Sequence, residues 1–177
     1  MTDAFEIRKV NTTADLLSCF SVRFDVFVQE QKVPFVLEVD HRDFLPSTVH
    51  ILVLENENPV GTLRVIQDSA TSYHLGRIAV LEDSRGRGLG RLLVEQAHAE
   101  LAKRHEIGEY ERGDHAPQAE HKPSDHAQNE PAEGVEITLD AQEYAIAFYE
   151  RLEYSLTDRE RFLDAGIWHR EMRRTLP

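Results

Sequence analysis

The stretch His74 to Leu101, HLGRIAVLEDSRGRGLGRLLVEQAHAEL, constrains the fold more than any other part of the chain. It reads as a strand, a glycine-rich turn and a helix. Apolar residues alternate through Tyr73 and Leu75 and then change phase to Ile78 and Val80. One extra residue in a strand does this to a period-2 pattern, so a bulge is expected near Arg77 and Ile78. The alternative is a strand buried on both faces, where period 2 is not required. In Arg85-Gly86-Arg87-Gly88-Leu89-Gly90 the glycines let the backbone approach a ligand closely and aim amides outward where a helix begins. Such a turn suits an anion, and Arg85, Arg87 and Arg91 add charge at the same opening. Beyond it Leu89, Leu92, Leu93, Ala97 and Leu101 recur at helical spacing and turn one face to a core.

Several nucleotide-binding folds use a glycine-rich strand-to-helix turn, and two of them do not fit. No Lys-Ser or Lys-Thr follows the last glycine, as a P-loop requires, and Gly86-x-Gly88-x-Gly90 is not the Gly-x-Gly-x-x-Gly of a dinucleotide site. The run Arg85-x-x-Gly88-x-Gly90 resembles the Arg/Gln-x-x-Gly-x-Gly/Ala signature of the GNAT superfamily of N-acetyltransferases. That resemblance implies that the turn binds the pyrophosphate of acetyl-CoA.

The 177 residues suffice for one domain with a proper core. A lone cysteine, Cys19, rules out an internal disulfide and a cysteine-based zinc cluster, and its place in an apolar helical pattern favours a buried, inert thiol. No apolar run approaches a membrane span, and MTDAFEIRKV lacks a signal-peptide layout. A soluble protein of a reducing compartment is expected: the cytoplasm, with the nucleus an open alternative. A net charge of −12 argues against nucleic acid or an anionic membrane as partner.

Phe5 and Ile7 begin a first strand; Thr12 or Thr13 caps a helix carrying Leu16, Leu17, Phe20, Phe24, Phe27 and Val28, which should end near Gln31 ahead of Pro34. The following segment to Ser47 is expected to be a loop or short helix packed by Phe35, Leu37 and Phe44. Val49 to Leu54 and Val60 to Gln67 read as a hairpin turning at Glu55 to Pro59. After the organising stretch, His105 to Gly134 sets eight acids against Arg112 and Lys122 and is too poor in apolar residues to order itself. This insert is expected to stay disordered or mobile, with a protein partner as one use. Its four histidines (His105, His115, His121, His126) match no compact ligand set, so no metal is expected. Val135 to Leu139 is then a strand, Gln142 to Leu152 a helix with Ala141, Ala145, Phe148 and Leu152 on one face, and Tyr154 to Leu156 and Ile167 to Met172 the last strands. A meander followed by a crossover makes an α/β or α+β sheet of mixed strand directions.

Further resemblance spreads over nearly the whole chain outside the insert. Phe148-Tyr149-Glu150-Arg151-Leu152-Glu153-Tyr154 is similar to the Phe-Tyr-x-x-x-Gly-Phe element that closes the GNAT core. Val26-Phe27-Val28-Gln29-Glu30-Gln31-x-x-Pro34, Glu38-x-Asp40-x-x-Asp43 and Phe162-Leu163-Asp164-Ala165-Gly166-Ile167-x-His169 resemble the ElaA/YjcF-like branch. The implied fold is one GNAT domain over residues 1–177, a mostly antiparallel sheet with a central parallel strand pair, flanked by helices. Two positions depart from the family pattern: Glu153 stands where a glycine usually takes a left-handed helix cap, and Ala145 stands where some relatives place an Asn against the cofactor.

The implied activity is direct transfer of an acetyl group from acetyl-CoA to a primary amine, such as a small molecule or amino sugar. The cofactor is expected on Ile78, Ala79, Val80, Arg85, Gly86, Arg87, Gly88, Leu89 and Gly90, with an amide of the bulged strand as oxyanion donor. On pattern alone Tyr149 is an amphipathic residue at a helix edge; the resemblance implies an acid for the leaving thiolate, beside a gap between the central strand and the Val135 strand. Glu38 and Asp40 are the candidate bases, against a reading as loop hydrogen-bond acceptors. His50, His74 and His169 titrate in the right range without any feature that promotes one. A CoA-binding module without turnover is the competing class, and a homodimer is compatible with either.

Overall fold

The computed structural model describes residues 5–107 and 134–177. The insert, apart from its first residues and Gly134, lies outside them, and with it the expectations of disorder and of a partner.

The first strand, β1 (Phe5–Lys9), leads into α1 (Thr13–Arg23), where Thr12 is the N-cap and accepts from the Asp15 N–H. The helix continues as a π-helical stretch, Phe24–Glu30, and closes at Gln31, whose N–H reaches back to Val26 O. Two short 3₁₀ turns follow, Phe35–Leu37 and His41–Phe44. The meander consists of β2 (Val49–Glu55), β3 (Asn58–Gln67) and β4 (Ser72–Val80). Asn56 and Glu57 form the first hairpin turn with φ of 49° and 68°. A 3₁₀ turn, Glu82–Ser84, then leads to the glycine-rich turn and α2 (Leu89–Ile107). The rest is β5 (Val135–Gln142), a 3₁₀ turn (Glu143–Ala145), α3 (Ile146–Glu150), β6 (Ser155–Leu156), β7 (Phe162–Asp164) and β8 (Ile167–Leu176).

Among the described residues these strands form one sheet in the order β1-β2-β3-β4-β5-β8-β6, with β7 paired to β8. All pairs are antiparallel except β4 with β5. The main core lies between the sheet and α2: Leu89, Leu93, Ala97 and Leu101 meet Ile51, Leu63, Leu75, Ile137 and Leu139. On the opposite face Cys19 packs with Leu52 and Leu54, and Val22 and Val26 with Ala79.

Three expectations are corrected. The strand expected to stop at Leu139 runs to Gln142, because Ala141 and Gln142 find partners in Arg170 and His169 of β8; the helix expected over 142–152 shrinks to α3 and its 3₁₀ lead-in, and Ala141 is buried on the strand. Phe35, Leu37 and Phe44 do not pack the loop from inside; each is exposed. The loop is held by charge instead. Arg23, 1 % exposed, donates from Nε to Glu38 Oε1 at 2.6 Å, from Nη1 to Asp43 Oδ1 at 2.7 Å, and from Nη2 to the Glu38 carbonyl.

Candidate active site

The expected bulge is present in β4. Arg64 of β3 lies opposite Gly76, and Thr62 opposite Ala79, so Arg77 and Ile78 share the single position facing Leu63. Arg77 takes φ of 53° to achieve this. The extra residue keeps Tyr73, Leu75, Ile78 and Val80 on the core face while Ala79 points to α1. It also bends the strand away from its parallel neighbour. The β4–β5 pairing runs from Ser72↔Glu136 to Leu75↔Leu139 and goes no further. Past that point β4 stays with β3 and β5 stays with β8, so the sheet splits into a slot.

Successive N–H groups of a strand point to opposite edges. The Leu81 N–H donates to Val60 O on the β3 side at 2.9 Å, so those of Ile78 and Val80 face the slot. A cavity of about 400 Å³ opens there, lined among others by Ile78, Glu38, Asp40, His74, Asp140 and Tyr149. A second opening, lined by Ile78, Ala79, Val80 and Arg85, shares Gln31, Gln142, Tyr144 and Ile167 with the first. The slot thus runs continuously from the acidic loop to the glycine-rich turn.

At that turn Gly86 and Gly88 have φ of 75° and 83°, and a Cβ on either would meet nothing within 4 Å. The positive φ values, not crowding, demand glycine, and they curl successive amides into an anion-binding nest at the start of α2. The first-turn N–H groups of a helix have no acceptor within it. Gly90 lets the helix start close to the Phe148 ring, 3.4 Å from an added Cβ. The three arginines are engaged locally: Arg85 with Glu30 at 2.8 and 2.5 Å, Arg87 with Glu55 at 3.0 and 2.6 Å, Arg91 with Glu95 at 2.6 Å. The backbone is therefore the main anion receptor, with the guanidiniums available only by exchange of exposed ion pairs.

Tyr149, on α3, is 8 % exposed, with its ring edge-on to Phe148 and Tyr154. Its hydroxyl has no hydrogen-bond partner among the described residues. Burial, with an addition from Tyr144, raises its pKa well above the ordinary phenol value, so the hydroxyl keeps its proton at neutral pH. The helix ends as the sequence suggested: Glu153 takes φ of 65° and the Tyr154 N–H returns to Tyr149 O at 3.1 Å.

Glu38 and Asp40 both reach the cavity, and both are already engaged. Burial raises the Glu38 carboxyl above its ordinary value against the pull of Arg77 and Arg23. Burial also acts on Asp40, but Arg64 and Arg42 outweigh it and hold that carboxyl low. Asp40 additionally caps the His41–Phe44 turn, accepting from the Arg42 N–H. Of the three histidines, His50 is buried outside the cavity lining, with Nε2 donating to Asp43 O at 3.0 Å, while His74 and His169 line it. Burial pushes the Cys19 thiol up to about 11, leaving it no nucleophile. Among the described residues no cluster of His, Cys, Asp and Glu is placed to hold a metal, and no helix is long and apolar enough to cross a membrane.

The sequence model of the family described as Acetyltransferase (GNAT) domain matches residues 47–156, the stretch that carries the bulge, the nest and Tyr149. The chain belongs to the GNAT acetyltransferase family. Within it the chain is of the ElaA/YjcF-like kind. It is 29 % identical over 157 residues to the uncharacterized N-acetyltransferase YjcF of Bacillus subtilis, covering 89 % of this chain and 90 % of that one. The crystal structure of Escherichia coli ElaA superposes with a TM-score of 0.72 at 21 % identity, covering 97 % and 99 % of the two chains. An acyl-CoA N-acyltransferase from Pseudomonas aeruginosa gives 0.71 at 23 % identity over 97 % and 99 %. This GNAT domain is accordingly an acyltransferase fold whose family uses acyl-CoA.

Proposed function

We propose that this protein transfers an acetyl group from acetyl-CoA directly to a primary amine. The observation that carries the reading is the parting of β4 and β5 at the Arg77 bulge into a slot with an amide nest at one end and acidic groups at the other. When bound, acetyl-CoA supplies an activated carbonyl and a thiolate leaving group. The Ile78 and Val80 N–H groups donate to the oxygen on which negative charge grows. The Tyr149 hydroxyl holds the proton that the departing sulfur takes. Gly86, Gly88, Leu89 and Gly90 bind the pyrophosphate through their amides. Glu38, Asp40, Asp140 and Asp164 give the acceptor end a negative cast that favours a cationic amine, whether a small molecule, an amino sugar or a protein amine.

The test is thiol release from acetyl-CoA across a panel of primary amines, beside calorimetry of acetyl-CoA alone. Release with one class of amine supports the reading; tight binding without release from any amine makes the protein a CoA-binding module. Tyr149→Phe keeps the ring packing and loses only the proton, so turnover should fall at least tenfold with cofactor affinity unchanged.

A further inference from the structure

Of the acidic loop residues, arginines hold Asp40 low, and Glu38, although burial raises it, is 3 % exposed with its carboxylate turned to Arg23 and Arg77. Another group at the same end of the slot is held by nothing of the kind. His74 sits on β4 directly opposite Thr138 of the parallel strand, one residue before the pairing ends. Its side chain keeps 29 % of its surface accessible at the cavity wall. Nδ1 lies 3.2 Å from Thr138 Oγ1, and that hydroxyl in turn donates to Tyr73 O at 3.4 Å. With its proton committed to a carbonyl, the hydroxyl accepts from the ring, which places the imidazole proton on Nδ1 and leaves Nε2 a bare lone pair. Nε2 lies 3.9 Å from Asp140 Oδ2, too far to bond but close enough to stabilise a cation formed there. The next residue on that strand face is Gly76, whose missing Cβ would stand 3.9 Å from Nε2. A side chain there would cover this edge of the ring; glycine leaves it open.

We infer that His74 is the general base that takes the proton from the acceptor ammonium, with Thr138 fixing its tautomer and Asp140 balancing the imidazolium. The inference rests on the acetyl-transfer reading. The step balances as follows: one ammonium N–H breaks and an Nε2–H forms; the freed lone pair makes the N–C bond to the acetyl carbon; the C–S bond breaks, and the thiolate takes the Tyr149 proton. The second proton on the attacking nitrogen passes to the Tyr149 oxygen, leaving a neutral amide and a neutral phenol. His74 afterwards returns its proton to solvent. The charged groups facing the ring come from four directions: Asp140 on β5, Asp68 after β3, Arg64 on β3 and Arg42 on the His41–Phe44 turn. Burial outweighs the two carboxylates and holds the imidazole below its ordinary value, so it is neutral and ready to accept at pH 7.

Two measurements test this, only one of which depends on turnover. Imidazole ¹⁵N NMR of the free protein should show His74 as the Nδ1–H tautomer. Thr138→Val should mix the tautomers, and Thr138→Ser should restore the single form; an Nε2–H tautomer in the wild type overturns the assignment whatever the activity. In the second, His74→Gln should lower kcat/KM about 100-fold near pH 7. The deficit should then shrink about tenfold per pH unit towards pH 9, because an amine with a pKa near 10 increasingly arrives neutral. A deficit constant with pH signals a structural role and overturns the proposal, as does no deficit. A wild-type protein that acetylates no amine removes the reaction, and this base with it, even if Nε2 is bare.

Discussion

Arg77 Nε lies 3.2 Å from the main-chain oxygen of Glu38 and 3.4 Å from its Oε1, so the residue that kinks β4 also grips the loop across the slot. Its Nη2 reaches Leu37 O at 2.9 Å. One side chain therefore couples the strand whose Ile78 and Val80 amides face the slot to the acidic loop at its end.

Arg77→Gly separates these two roles. Glycine accepts the left-handed conformation without strain, so the bulge and the cofactor affinity should persist. Losing the charged donors to the loop costs about 1.5–3 kcal/mol locally, offset in part by the strain relieved. The acceptor KM should rise roughly tenfold while the acetyl-CoA dissociation constant, measured by calorimetry, stays within about twofold.

Arg23 is buried against two carboxylates 15 and 20 residues away. Removing one partner of a buried pair leaves the others uncompensated, so Arg23→Met should destabilise the fold by about 3–5 kcal/mol in urea unfolding. The same network predicts the acid limit. Burial pushes the Asp43 carboxyl up, but hydrogen bonds from Arg23 and the Asp40 N–H, with the charge of Arg64, bring it well below its ordinary value. A group depressed in the folded state stabilises above its unfolded pKa, near 4, and that contribution is lost as pH falls from there through the folded value. The melting temperature should drop below about pH 4, and less steeply in Asp43→Asn.

Glu153 takes φ of 65° at the end of α3, with its carboxylate 2.5 Å from Arg174 but 76 % exposed. An exposed pair contributes little, and a non-glycine residue in this conformation costs about 1–2 kcal/mol. Glu153→Gly should stabilise by about 1 kcal/mol, read as a melting temperature about 2–4 °C higher. No change would mean that the ion pair offsets the strain.

Features written locally were legible in the sequence. The bulge showed because Tyr73, Leu75, Ile78 and Val80 must share a face, and the nest because Gly86 and Gly88 adopt angles that other residues resist. Thr12 announced its helix by being three residues from the amide it caps. What escaped reading depends on contacts distant in sequence. Phe24, Phe27 and Val28 stand at the i, i+3, i+4 spacing of an α-helix, so nothing in the sequence marks the π-helical register of Phe24–Glu30. The Arg23 network joins residues with no shared period, and Phe35, Leu37 and Phe44 looked like the loop's anchors because their apolarity is visible while that pairing is not. His74 could not be distinguished from His50 or His169, since Thr138 and Asp140 come beside it only once β5 pairs with β4.

The parallel pair also fixes where residues 108–133 leave and rejoin the fold. Gly134 precedes Val135, and Glu136 pairs with Ser72 at the start of β4, whereas the nest follows Val80 at its end. The α2 helix begins at the nest and carries the chain away over 19 residues, about 28 Å at 1.5 Å per residue. Both junctions therefore lie at the end of the sheet remote from the glycine-rich turn. Gly134 must be kept, because it has φ of 140° and a Cβ there would stand 2.3 Å from Leu176 O. Replacing residues 110–131 with a flexible Gly/Ser linker should leave the acetyl-CoA dissociation constant within about twofold, since no nest amide or slot residue is touched. A tenfold weakening would place part of the cofactor site in that segment and overturn the partition drawn from the β4–β5 register.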